Sequence, residues 1–140
     1  KFKWTTVPLQ NSYDVLLEEN LRDYAERLRI LVEKTRELGA MPIFVTQPAR
    51  MYRITEGVVE GVDRQQAYKY VFVNGVDMCY IFEMFNEVTM SVCEDEGAIC
   101  LDLANDVIWE DSDFYDFLHM PPSGIRKVGE YMFEKLKELY

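Results

Sequence analysis

The nonapeptide Asp116-Phe117-Leu118-His119-Met120-Pro121-Pro122-Ser123-Gly124 holds the chain's only histidine, with a carboxylate three residues before it. A histidine can change its charge near neutral pH, and a neighbouring aspartate can hold its Nδ1 proton and fix the tautomer. These two residues are therefore half of a hydrolytic triad, with His119 as candidate general base and Asp116 as its orienting partner. A plainer role is also open, in which His119 is a structural histidine and Asp116 caps the helix that follows. Glu110, Asp111, Asp113, Asp116 and His119 crowd ten residues with ligand-type atoms. With a single nitrogen donor among them, no metal site and no cofactor are expected.

The segments around this stretch determine where it sits. From Ser12 or Asp14 as N-cap, Leu17, Leu21, Tyr24, Leu28, Leu31, Thr35 and Leu38 recur at helical spacing, and Gly39 stands where a left-handed C-cap is needed. Met41 to Thr46 then reads as a short, continuously apolar strand, the composition of a strand buried on both faces. The same order recurs, with a helix over about 76–94, Gly97, and an apolar strand over Ala98 to Leu103. Two such units in series imply parallel strands joined by crossover helices. Ligands in sheets of this kind gather beyond the carboxyl ends of the strands, here Gln47 to Tyr52 and Ala104 to His119. By position, Gln47 and Arg50 are candidate substrate contacts. Pro48 to Asn74 reads as a long connection with few periodic features. A final amphipathic helix over about 123–139 buries Ile125, Val128, Met132, Leu136 and Leu139, with Ser123 as its cap.

The composition, 49% hydrophobic with 14% aromatics over 140 residues, is that of a folded domain and not of a disordered chain. Against 25 acidic residues stand 15 basic ones, unclustered, so a nucleic-acid partner is not expected. No apolar run reaches the length of about 18 residues that a membrane span requires. Cys79, Cys93 and Cys100 lack CxxC spacing and lie in apolar patterns, which reads as three buried thiols with a lean towards a reducing, cytoplasmic compartment.

The αβ repeat, the acidic loop, Asp116-x-x-His119 and Gly124 ahead of a closing helix together resemble the C-terminal half of an SGNH (GDSL-type) hydrolase. The resemblance implies a three-layer flavodoxin-like α/β fold with a parallel sheet, of which 1–140 is a single, partial domain. It also implies a serine esterase acting on a small ester or an acylated carbohydrate through an acyl-enzyme, with Gly124 letting the last helix start close against the loop. The family's Gly-Asp-Ser block and oxyanion-hole blocks are not in this sequence, and Ser12, Ser91, Ser112 and Ser123 are its only serines. The nucleophile is therefore expected outside this stretch. The sheet edge left open would be covered by the rest of the domain or by another copy in a homo-oligomer. The alternative is a non-catalytic α/β binding or assembly module.

Overall fold

A computed structural model describes residues 2–139. In chain order the elements are β1 (Trp4–Thr5), α1 (Tyr13–Glu37), β2 (Ile43–Val45), β3 (Tyr52–Thr55), β4 (Val58–Val62), β5 (Gln66–Tyr68), β6 (Val71–Val73), α2 (Gly75–Asp95), β7 (Ile99–Leu101), α3 (Leu103–Asp106) and α4 (Pro122–Leu136). The architecture is mixed α/β. β2 and β7 pair in parallel, with Ile43 opposite Ile99 and Val45 opposite Leu101. This is the pairing that the repeated helix, glycine and strand order requires. Both long helices end on a glycine with positive φ, Gly39 (72°) and Gly97 (60°).

α1 and α2 pack side by side and share the core. Leu16, Leu17, Leu28 and Val32 of α1 are buried, as are Met78, Cys79, Ile81, Val92 and Cys93 of α2. The α1 periodicity is only partly used, because Leu31 and Leu38 are exposed. A helix of 25 residues spans roughly 37 Å and far outruns a sheet of three-residue strands. α2 begins at a capping box in which Asn74 Oδ1 accepts from the Val76 and Asp77 amides while the Asp77 carboxylate accepts from Asn74 N. Asp77 is fully buried and also accepts from Leu9 N, Gln10 N and the Tyr13 hydroxyl, which fastens the N-terminal segment to the helix start.

The connection expected to be irregular is in fact two antiparallel hairpins, β3–β4 and β5–β6, and β1 adds to the outer edge of β4. The first hairpin turns at Glu56-Gly57, where both φ angles are positive, the primed turn that matches strand twist. It lies backbone against backbone on the first turn of α2. A Cβ on Gly61 would stand 1.9 Å from Val76 N, and one on Gly75 2.1 Å from the Met51 carbonyl oxygen.

The cysteine reading is corrected. Cys93 at the end of α2 and Cys100 in β7 form a disulfide with Cα atoms 5.8 Å apart, and only Cys79 is a free, buried thiol. The helix C-terminus and the following strand run back on each other through Gly97, so two cysteines seven residues apart meet across the turn. The lean towards a reducing compartment, which rested on three thiols, loses its basis. Closing so short a loop is worth about 2 kcal/mol. Urea unfolding with and without dithiothreitol should differ by about that amount, and superimposable curves would show that the bond does not form.

Candidate functional site

Beyond β7 the chain runs through α3 and an extended stretch to a single 3-10 turn at Asp111–Asp113, then loops over to α4. Asp113 is only 2% exposed and closes the base of that loop. Its Oδ2 accepts from Glu110 N at 2.9 Å and from Lys127 Nζ at 2.6 Å, while Lys127 also donates to the Ile108 carbonyl at 3.1 Å. Burial pulls the Asp113 pKa up, but the Lys127 ammonium and the Glu110 amide together outweigh it and leave the carboxyl below its ordinary value. A Cβ on Gly124 would lie 2.3 Å from the Asp113 carbonyl oxygen, so the last helix starts as close to the loop as the resemblance implies. Pro121 is the N-cap of α4. Ser123, expected there, sits inside the first turn and donates to the Ser112 carbonyl instead.

On this base stands the Asp116–His119 pair. Asp116 Oδ1 accepts from the backbone amides of Leu118 (2.9 Å) and His119 (2.8 Å), the short-range bonding by which an aspartate nucleates a turn. That turn presents Oδ2 to His119 Nδ1 at 2.7 Å. The two amides and the imidazole hold the Asp116 carboxyl down to a pKa of about 2. An ionised carboxylate can only accept, so Nδ1 carries a ring proton, and Nε2 is the atom left to exchange one. The pair is well exposed, with side-chain accessibilities of 67% for His119 and 47% for Asp116. Among the described residues no serine, threonine or cysteine hydrogen-bonds His119. Nor do three His, Cys, Asp or Glu side chains converge as a metal-binding group among them.

The other two candidates do not join the pair at the ring. Arg50 is a brace. Its amide donates to the Phe117 carbonyl at 2.9 Å, its guanidinium donates to the Phe114 carbonyl at 3.1 Å, and Asp111 lies 3.6 Å from Nε. The same guanidinium lies 5.2 Å over the ring of Phe2, which packs on Phe117. Arg50 thus ties the end of β2 to the loop that carries His119. The Gln47 side chain folds back on the Pro48 carbonyl, and its backbone is gripped on both sides by Asn86, whose Oδ1 accepts from Gln47 N and whose Nδ2 donates to Gln47 O.

Sequence reasoning passed over Asn86 and Thr46. The Thr46 hydroxyl donates to Asp102 Oδ1 at 2.8 Å and accepts from Ala104 N at 2.9 Å, joining the carboxyl ends of β2 and β7. A polar residue closing each of two apolar strands was the available signal. Beyond those ends opens a cleft of about 650 Å³ walled by Tyr52, Ile54, Glu83, Glu87, Asn105 and Trp109. It has the volume of a small-molecule site, but neither Asp116 nor His119 lines it.

No protein-family model, curated protein or solved structure matches this chain.

Because its pKa is depressed in the folded protein, ionised Asp116 supports the fold above the ordinary aspartate range, and that support is lost as the pH falls through about 2. Its carboxyl carbon, followed by NMR, should titrate near 2 with the Leu118 and His119 amide shifts moving in step. A midpoint at the ordinary value of 3.8 would mean the turn is not formed in solution.

Proposed function

We propose that the chain is the histidine-bearing part of an SGNH-type ester hydrolase on a three-layer flavodoxin-like fold, with the nucleophilic serine and the oxyanion donors outside residues 1–140. The observation that carries this reading is the 2.7 Å bond from His119 Nδ1 to an Asp116 carboxylate that its own turn holds ionised. Position supports it too, since the pair lies on the loop between the carboxyl end of a parallel strand and the closing helix, where catalytic groups of open α/β sheets gather.

A small parallel sheet also suits the proposal of a partial domain. Among the described residues β2 pairs with β7 alone. Cys100 is bonded to Cys93 of α2, so Cys100 and its register partner Phe44 face that helix, and alternation turns Ile43 and Val45 to the opposite side. There they are 39% and 37% exposed, so β2 is not buried on both faces, contrary to what its composition implies, while Leu101 of β7 on the same side is buried.

In the proposed reaction His119 Nε2 takes the proton of the serine hydroxyl as the serine oxygen bonds to the ester carbonyl carbon. It returns that proton to the departing alcohol oxygen as the carbon–oxygen bond breaks, leaving an acyl-enzyme. Water then replaces the alcohol. Its proton goes to Nε2, its oxygen bonds to the acyl carbon, and the serine leaves with the proton restored. Asp116 stays ionised throughout and stabilises the imidazolium. A small ester, or an acylated carbohydrate whose alcohol portion reaches towards the cleft, is the substrate class proposed.

The competing reading, a non-catalytic module with a structural histidine, draws on the exposure of the pair and the lack of a nucleophile among the described residues. Hydrolysis of p-nitrophenyl acetate by the intact natural protein separates the two. His119→Ala should lower kcat by about a thousandfold or more, and Asp116→Asn should cost about ten- to a hundredfold less. Undiminished turnover in the His119 variant, or an intact protein lacking a Gly-Asp-Ser-type block, overturns the hydrolase reading in favour of the module.

A further inference from the structure

We propose that Tyr115 is a positioning residue for His119, setting the plane of the imidazole so that Nε2 points in one direction; this rests on the hydrolase reading above. The Tyr115 and His119 rings stack with centroids 5.7 Å apart and planes 16° from parallel, within the range of offset aromatic pairs. The stack is imposed by the backbone. Tyr115 N donates to the His119 carbonyl at 3.0 Å, closing the five-residue turn whose ends carry the two rings.

The need for such a contact follows from what Asp116 leaves free. Its bond to Nδ1 restrains one distance, and coupled rotations about Cα–Cβ and Cβ–Cγ can keep that distance while tilting the ring and carrying Nε2 along an arc. A general base must meet its proton donor within hydrogen-bond reach and in line, so the arc wastes the base unless a second restraint acts along the ring normal. Tyr115 is the aromatic ring that stacks on this imidazole. Packing does not otherwise account for it: Tyr115 is 67% exposed, fills no core, and its hydroxyl makes no hydrogen bond among the described residues. An aromatic pair of this kind corresponds to about a two- to tenfold preference for the aligned ring.

The test compares Tyr115→Ala with Tyr115→Phe in the intact protein, with His119→Ala as the reference. The phenyl ring keeps the stacking face and removes only the hydroxyl. The imidazole proton signals, assigned by their loss in His119→Ala, should lie upfield through the ring current of residue 115, move downfield in Tyr115→Ala, and stay in place in Tyr115→Phe. Ester hydrolysis should follow the same order, with kcat falling about two- to tenfold in Tyr115→Ala at nearly unchanged KM and recovering in Tyr115→Phe. Unmoved imidazole signals in Tyr115→Ala, equal losses in both Tyr115 variants, or a change confined to KM would each overturn the positioning role while His119→Ala still reported on the hydrolase. If His119→Ala leaves turnover intact, the hydrolase reading falls and the positioning role falls with it. Because Tyr115 lies on the surface, a thermal melt of Tyr115→Ala close to that of the natural protein separates these outcomes from loss of fold.

Discussion

The site depends on one buried ion pair. Asp113 loses its water to the protein interior and recovers the cost through Lys127 from α4 and the Glu110 amide from its own turn. An isolated buried carboxylate would be strongly unfavourable, so wherever Lys127 goes the turn must follow. Lys127 lies one helical turn past Gly124, the residue whose missing side chain lets the helix touch the Asp113 carbonyl. Charge and close contact therefore fix the same junction, between the 3-10 turn and the first turn of α4. The loop spanning it has both ends anchored, and within it Asp116 has only to bond two amides of its own turn to bring His119 into line. Lys127 is partly open to water, which discounts the pair to about 2 kcal/mol, ample for holding a loop though small beside the whole fold.

Arg50 supplies the complementary anchor from the other side. Lys127 holds the loop to the helix that follows it, and Arg50 holds it to the end of β2, through carbonyls at Phe114 and Phe117 on either side of Asp116. The two cations play similar parts. Lys127 Nζ donates to the Ile108 carbonyl and the Asp113 carboxylate, the Arg50 guanidinium donates to the Phe114 carbonyl, and Arg50 reaches the His119 loop from a segment distant in sequence. Thr46 and Asn86 do the same one step earlier, by locking the carboxyl ends of β2 and β7 to each other and to α2. The route from fold to site is thus polar, while the apolar core beneath it between α1 and α2 supplies most of the stability.

What could be read from the sequence divides along physical lines. The long helices, their glycine stops and the parallel β2–β7 pair are written locally, in a periodicity of 3.6 and a repeated Gly-Ala junction. Asp116 and His119 are legible for the same reason, since three residues of separation inside one turn is a local relation. The hairpins over 52–73 escape because their strands run three to five residues and β3 is largely exposed, so no alternation accumulates, although Glu56-Gly57 between Ile54 and Val58 marks the turn. Arg50 reads as a substrate contact because bonds to backbone carbonyls leave no trace in residue types. The Cys93–Cys100 bond needs the path of the chain through Gly97, which spacing alone does not specify.

The exposure of the Asp116–His119 pair bears on the hydrolase reading in a way that the distance alone does not. In water a histidine and a carboxylate at this separation gain little from each other, because solvent screens the charge and competes for the proton. The same pair covered by apolar protein would interact several times more strongly and would be shielded from stray water. Among the described residues β2 has a free edge, and Ile43 and Val45 are partly exposed beside it although Leu101 on the same face is buried. Under the hydrolase proposal the free strand edge and the unscreened base would have one explanation, a further part of the domain that supplies the nucleophile and the low dielectric together. Arg50, Lys127 and Tyr115 would in that case have a common purpose: holding a ring in its working orientation on the open side of a sheet until the layer that uses it is in place.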